Sequence, residues 1–302
     1  MTDVPTLIAG GQAVALGRRP LIMGVVNATA DSFSDAGRFP TLESRLDEAR
    51  RQLRGGAAIV DVGGQSAVTD RPEVDAREEV DRVVPLVERI VRELGALVSV
   101  DTYKLDVARA ALSAGARIVN DTSGLRDVRL AQLCAEHGAG LVVMHNLSRP
   151  KERLTDPGLY DDVVAECVAF LEARLAAARD AGLPAEATIV DPGPDFAKTP
   201  AQTVAVLRGL DAVHALGRPV LLALSRKDFV GALTGRPPRE RLAGTLAAIG
   251  HVPRRPGQIL RVHDVPEVSD YLTVADALTG ESPPDDDLRL HPDLRREPRP
   301  GG

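Results

Sequence analysis

The chain has 302 residues, a formal net charge of -6, an apolar share of 44% and an aromatic share of 3% with no Trp. That length fits two average domains or one barrel of about 250 residues, and the apolar content is enough for a large core packed by aliphatic side chains. The acidic balance leaves no basic footprint for nucleic acid, there is no signal peptide, and no apolar run reaches bilayer length, so the expectation is a cytoplasmic protein without nucleic-acid or membrane partners.

Thr6 to Leu16 reads as a short β-hairpin turning at Gly10 and Gly11, suited to cover the closed end of a barrel. Leu21 to Val26 is an apolar run behind Pro20, the pattern of a strand buried on both faces. Asn27 ends it, and the loop that follows holds Asp31, Ser32, Phe33, Ser34 and Asp35, more chemistry than a plain connection needs. Thr41 to Arg54 is a helix capped by Thr41 and stopped by Gly55 and Gly56. Ala57 to Val62 is the next strand and runs into DVGGQSAVTDRPEV. Glu73 to Leu94 is helical, Leu97 to Val100 is a strand stopping at Asp101 and Thr102, and Leu105 to Ala114 is a helix. Arg117 to Val119 leads to Asn120 and Asp121, Val128 to His137 is helical, and Gly140 to Val143 leads to Met144 and His145.

The second half repeats the scheme. Tyr160 to Ala181 is a long helix, Ala187 to Val190 a strand stopping at Asp191, and Pro200 to Leu216 a helix. Pro219 to Leu224 runs into Ser225, Arg226 and Lys227. Arg239 to Ile249 is helical, Gln258 to Leu260 precedes Arg261 and His263, and Pro266 to Leu278 is the last helix. Eight strand-then-helix units imply an α/β fold, a (β/α)8 TIM barrel with an N-terminal β-hairpin, as one domain over residues 1–280. One unit is irregular: IGHVPRRPG places Pro253 and Pro256 where a helix would continue, so that helix is expected to be short or followed by an open loop. The tail 281–302, rich in Pro, Asp and Arg, is expected to be disordered. Cys134 and Cys167 fall on predicted helices without metal-ligand spacing and read as small buried residues.

Each strand end carries a polar group or Met: Asn27, Asp61, Asp101, Asn120, Met144 with His145, Asp191, Ser225 with Lys227, and Arg261 with His263. Asp61 and Asp121, beside Gly-rich or turn segments, read as carboxylates that bind backbone. Asp101, Asn120, Asp191 and Lys227 together read as a ligand site.

NATADSFSD (27–35) resembles the first signature of the dihydropteroate synthases, pterin-binding transferases of folate biosynthesis, and further matches follow in the family's order to about Gly280. The resemblance implies condensation of 6-hydroxymethyl-7,8-dihydropterin diphosphate with 4-aminobenzoate, releasing pyrophosphate. It implies a pterin pocket of Asp101, Asn120, Met144, Asp191, Phe196, Lys227 and Arg261. A carboxylate such as Asp191 can accept the two parallel donors of the pterin edge, and Asn120 and Lys227 suit its acceptors. Arg261 supplies a planar cover, with Met144 and Phe196 at the sides. Asn27, Arg261 and His263 would take the pyrophosphate, and the amide oxygen of Asn27 would hold Mg2+, a cation content with few protein ligands. Asp35, Lys227 and Arg261 are the expected catalytic residues, acting electrostatically, and Phe33, Ser66 and Asp228 the second-substrate pocket. A homodimer is expected on the same resemblance.

The departures from the family pattern cluster on the aminobenzoate side. Ala67 and Val68 stand where the family has Thr-Arg, Gln65 replaces the usual Glu, Ala30 the usual Pro, Ala223 a Gly, and Pro194 and Asp195 alter a Gly-containing turn. Asp228 replaces Ser after the lysine, and a carboxylate facing a carboxylate substrate would repel it by about 4 kcal/mol at about 4 Å and an effective dielectric near 20, unless Asp228 is paired or turned away. LSRKDFVG (224–231) resembles the divergent second copies of the family found in actinobacteria, which leaves open a pterin-binding protein with a different second substrate or none. A methyltransferase using a reduced folate on the same barrel is a third reading, against which stand the DSFSD loop and the SRK lysine.

Overall fold

The computed structural model describes residues 5–29, 41–66 and 72–294. Ten strands are present among them: β1 (Leu7–Ala9) and β2 (Gln12–Val14) pair as an antiparallel hairpin, and the other eight close into one parallel barrel. In order around the barrel these are β3 (Leu21–Asn27), β4 (Ile59–Gly63), β5 (Leu97–Asp101), β6 (Ile118–Asp121), β7 (Gly140–Met144), β8 (Thr188–Asp191), β9 (Val220–Leu222) and β10 (Gln258–Val262), with β10 pairing back onto β3.

The helices begin where the sequence supplies a cap. In α1 (Leu42–Arg54) the Thr41 hydroxyl accepts from the Ser44 amide at 3.1 Å. Asp75 caps α2 (Ala76–Arg89), which passes into a single π-turn over Ile90–Leu94. Next come α3 (Leu105–Ser113), α4 (Arg129–His137) and α5 (Val163–Asp180), the last capped by Asp162 at Val164 and Ala165. A reciprocal Thr199–Gln202 box opens α6 (Pro200–Arg208). The helix expected to continue to Leu216 breaks at Gly209, packed so closely on Val164 of α5 that a Cβ would clash, and restarts as α7 (Leu210–His214). A seven-residue helix, α8 (Asp228–Thr234), was not anticipated, because DFVGALT is too short to carry a helical period. The barrel closes with α9 (Leu242–His251) and α10 (Val265–Thr279). As expected, IGHVPRRPG leaves the helix at Val252, and Arg254 in that open loop pairs with the buried Asp276 of α10.

The period of two along a strand sorts the core into two sets. Ile22, Val26, Val60, Val62, Val98, Val119, Val143, Val190, Leu222 and Leu260 point outward into one large cluster with the helices. Met23, Ile59, Ile118, Val142, Ile189, Leu221 and Ile259 point into the lumen and form a second cluster that includes Leu7 and Ala9 of the hairpin. The hairpin therefore plugs the amino end of the barrel, as its sequence suggested. Ala223 also joins this lumen cluster. Cys134 and Cys167 are free thiols and fully buried, as expected.

The start of the tail is tied down, since Glu281 pairs with Arg18 at 3.0 Å and the Ser282 amide donates to the Asp276 carbonyl at 3.1 Å. Beyond it, residues 283–294 hold turns and one 3-10 turn at Pro292–Leu294, with Leu288, Leu290 and Leu294 exposed. Among the described residues no helix is long and apolar enough to cross a membrane.

Candidate active site

The lumen-facing alternation that builds the plug also builds the site two residues later. Four strands read Ile, an outward aliphatic, then a polar residue: Ile59-Val60-Asp61, Ile118-Val119-Asn120, Ile189-Val190-Asp191 and Ile259-Leu260-Arg261. Because all eight strands are parallel, these polar residues share the carboxyl half of the lumen, where a barrel keeps its chemistry.

Arg261 organises this half. Its Nε donates to Asp61 Oδ2 at 2.6 Å and its Nη2 to Asp101 Oδ2 at 2.7 Å, while Asn120 Nδ2 donates to Asp61 Oδ2 at 3.2 Å. Burial works against the guanidinium charge, and the two carboxylates more than offset it, holding Arg261 above its ordinary range. Asp101 is pushed upward by burial and by Asp61, Glu79 and Asp121, with Arg261 opposing. Asp191, nearly inaccessible, takes the Gly193 amide on Oδ1 at 2.7 Å, and burial raises its pKa against that amide and the Lys227, Lys198 and Arg261 charges. Lys227 sets its ammonium 4.4 Å from the centroid of the Phe196 ring. Burial lowers the Lys227 pKa, and Asp195 and Asp191 oppose the shift. Burial and the Arg261 and Arg226 charges hold His263 at about 4, so it is a neutral imidazole with Nδ1 3.0 Å from Ser225 Oγ.

The turn after β9 is braced from both sides. Arg226, left-handed at φ 60°, makes a two-point pair with Asp264, and Arg241 Nη1 donates to the Arg226 and Lys227 carbonyls at 3.0 and 3.2 Å. Together these groups gather two buried carboxylates, an amide, a lysine over an aromatic ring and an arginine at the carboxyl end of the lumen. Its chemistry is that of a flat, polar-edged ring bearing an anionic substituent.

Comparison with known proteins agrees with that chemistry. The family model described as "Pterin binding enzyme" matches residues 23–263. The dihydropteroate synthase of Synechocystis is 38% identical over 278 residues, covering 91% of this chain and 95% of its own, and that of Bacillus subtilis is 39% identical over 270 residues, covering 89% and 92%. The chain belongs to the dihydropteroate synthase family. Among solved synthases, that of Xanthomonas albilineans with 4-aminobenzoic acid superposes with a TM-score of 0.83 at 39% identity, covering 92% of this chain and 99% of that one. The Burkholderia cenocepacia synthase complexed with 7,8-dihydropteroate gives 0.80 at 37% identity, covering 93% and 99%.

The expected residues are distributed unevenly. Asp101, Asn120, Met144, Asp191, Phe196, Lys227, Arg261 and His263 all lie at or beyond the carboxyl ends of their strands. Asn27 ends β3 as its exposed residue, and its side chain makes no hydrogen bond among the described residues. Asp35 and Phe33 lie outside the described residues. Ser66 is held through its carbonyl, which accepts from Lys151 Nζ at 2.8 Å.

One reading needs correction. Asp61 does not bind backbone but anchors Arg261 from inside the lumen, whereas Asp121, one residue out of phase, behaves as expected and takes the Ser123 and Leu125 amides at 2.7 Å. The Ile-Val-polar pattern that Asp61 shares with Asn120 and Asp191 was the available signal. Asp228 meets the condition under which it need not repel a carboxylate: its side chain is 62% exposed and pairs with Arg241 at 3.0 Å and Arg153 at 3.7 Å. Sequence reading also missed Lys198, which is fully buried beside His145, because a lysine in a polar loop ordinarily reads as solvated.

Proposed function

We propose that this chain condenses 6-hydroxymethyl-7,8-dihydropterin diphosphate with 4-aminobenzoate and releases pyrophosphate. The observation that carries the reading is the carboxyl end of the lumen, which gathers Asp191, Asn120 and Asp101 with Arg261 and the Lys227–Phe196 pair. Asp191 accepts the paired donors of the pterin edge with the carboxylate face that the Gly193 amide leaves, and Asn120 and Lys227 serve the ring's acceptors. Arg261 commits Nε and Nη2 to carboxylates, which orients its plane and leaves Nη1 for the incoming substrate.

The bond that breaks joins the pterin methylene to the diphosphate oxygen, whose electron pair leaves with pyrophosphate; the aminobenzoate nitrogen forms the new bond with its lone pair and releases one proton to solvent or to the departing pyrophosphate. Positive charge develops on the pterin as the diphosphate leaves. Asp101 and Asp191 stabilise the first, and Arg261, Lys227 and a neutral His263 donating a hydrogen bond stabilise the second. The buried, pre-oriented charges are in place before substrate arrives, so little reorganisation opposes the step. The family resemblance would give Asp35 the role of opposing the cationic pterin, and Phe33 and Ser66 that of serving aminobenzoate.

Asn27 at the mouth suits Mg2+, a cation that takes few protein ligands and many phosphate and water oxygens, because it is exposed and its amide oxygen has no partner among the described residues. Bound there, Mg2+ would neutralise charge on the departing diphosphate. The pairing of Asp228 with Arg241 favours the synthase over a divergent copy without a second substrate, since the charge that would repel aminobenzoate is partnered. In this reading the chain works as a homodimer, and sedimentation equilibrium tests that.

The deciding experiment is pyrophosphate release with pterin diphosphate and Mg2+, with and without 4-aminobenzoate. Release that requires aminobenzoate and yields dihydropteroate is expected. Binding of the pterin diphosphate with no response to aminobenzoate would replace this reading with the divergent-copy one.

A further inference from the structure

Lys198 is 1% exposed and precedes the Thr199 cap of α6. Its ammonium has three protons and four acceptors within reach: His145 Nδ1 at 2.7 Å, the Gly193 carbonyl at 3.0 Å, the Phe196 carbonyl at 3.1 Å and, longest, the His145 carbonyl at 3.5 Å. Burial beside Lys198 holds His145 at about 3, so the imidazole is neutral and its Nδ1 lone pair receives the proton. The other ring nitrogen has no hydrogen-bond partner among the described residues, and the ring meets Phe170 edge-on at 4.9 Å. A buried ammonium is a poor choice for stability alone, because an apolar side chain of the same size fills such a space without desolvating a charge.

Its acceptors explain it. His145 follows the end of β7, next to Met144, whereas Gly193 and Phe196 belong to the loop from Asp191 of β8 to α6. That loop turns through three left-handed residues, Gly193 (φ 64°), Asp195 (φ 66°) and Ala197 (φ 48°), two of which carry a Cβ. Gly193 lies so close to the His145 carbonyl that a Cβ would collide with it. The loop is thus bent unfavourably and pressed against β7, and something must hold it there. The same loop carries Phe196 under Lys227, and Asp195 Oδ2 accepts the Asp228 amide at 2.5 Å and the Phe229 amide at 3.3 Å, immediately after Lys227. Thr203 Oγ1 donates to Asp195 Oδ1 at 3.1 Å and accepts from its amide at the same distance.

We propose that Lys198 is a positioning residue for the pterin half of the site: by stapling the β8–α6 loop to the end of β7 it fixes Asp191, Phe196 and, through Asp195, the turn that carries Lys227. The inference rests on the pterin reading given above. Nothing in it requires Lys198 to touch substrate. Its buried state agrees with that, as does a pKa lowered to about 8 by burial, which still leaves the ammonium mostly charged at neutral pH.

Lys198→Met keeps the length and apolar stem while removing every hydrogen bond of the ammonium. The expected result is a rise of about tenfold or more in KM for the pterin diphosphate, with KM for 4-aminobenzoate unchanged within about twofold. Leu171→Ala, in the core of α5, is the stability control and leaves both KM values unchanged even where it lowers Tm as much. Equal changes in both KM values, or no change in the pterin KM, overturn the proposal. If Lys198→Met does not fold, Thr203→Val loosens the same loop without touching a buried charge; a selective rise in pterin KM supports the staple and an unchanged one overturns it. Asp191→Asn separates the two readings. Should it raise the pterin KM while Lys198→Met does not, only the staple fails, and should neither matter, the pterin assignment fails with it.

Discussion

At the hairpin end of the lumen, Met23, Ile59, Ile118, Ile189 and Ile259 pack against Leu7 and Ala9 with no charge among them. Two residues further along the same strands the lumen holds Asp61, Asn120, Asp191 and Arg261. The plug gains from every apolar surface it removes from water, about 1.5–3 kcal/mol for each large side chain. The polar layer above it gains little from burial and depends on each group finding a partner, since an unpaired buried charge costs several kcal/mol. One layer supports the fold and the other spends part of that stability on pre-oriented charges.

The sharpest break of the comparison is Asp61→Ala. It leaves Arg261 with Asp101 alone and Asn120 without its acceptor, and should cost about 3–5 kcal/mol in urea denaturation together with most of the activity. A stability loss without loss of turnover would show that Arg261 needs no anchor. Ile189→Ala, two residues before Asp191, should cost about 3 kcal/mol by cavity formation yet leave both KM values where they were. If KM for the pterin rises instead, the two layers are mechanically coupled.

Acid should separate the layers further. His145 and His263 are held at about 3 and about 4, below the ordinary 6.5. The unfolded chain therefore takes up protons below about pH 6.5 that the folded chain refuses, and stability falls with falling pH by about 1.4 kcal/mol per pH unit for each His. The loss for His263 is complete once the pH has passed its folded value. His263→Asn should remove that share of the slope, measured as unfolding free energy between about pH 7 and 4, whereas Ile189→Ala should shift the whole curve without changing its shape. An unchanged slope in the His263 variant would mean that the imidazole is charged in the folded protein. The smallest effect is expected from Asp228→Ser: its exposed pair with Arg241 is worth less than about 1 kcal/mol, and KM for 4-aminobenzoate should move by less than about twofold. A large fall in that KM would return Asp228 to the substrate pocket.

Much of the fold was legible because barrel strands buried on both faces read as short aliphatic runs, and because Thr41 and the Gly55–Gly56 pair punctuate α1 by mechanisms that act within one helical turn. The polar strand ends were legible for the same reason, since a parallel arrangement collects them at one end. Asp61 and Asp121 show the limit. Both are aspartates near the end of a buried strand, and the local signals of turn and glycine treat them alike. Their opposite phase sends one to Arg261, 200 residues away, and the other to two loop amides. Lys198 was hidden for a related reason, because its partner His145 lies 53 residues earlier and no local pattern marks a lysine as buried.

The amino-acid sequence by itself determined the eight alternating units, the plug hairpin, the capped start of α1 and the ring of polar strand ends, all of which depend on interactions within a few residues or on periodicity. Only the tertiary structure decided which carboxylate partners Arg261, that Asp228 is paired and exposed, and that Lys198 joins two loops from the inside. Those outcomes turn on which charges share a desolvated space once the barrel has closed. Electrostatic interaction in such a space depends on distance and burial, and sequence separation carries neither.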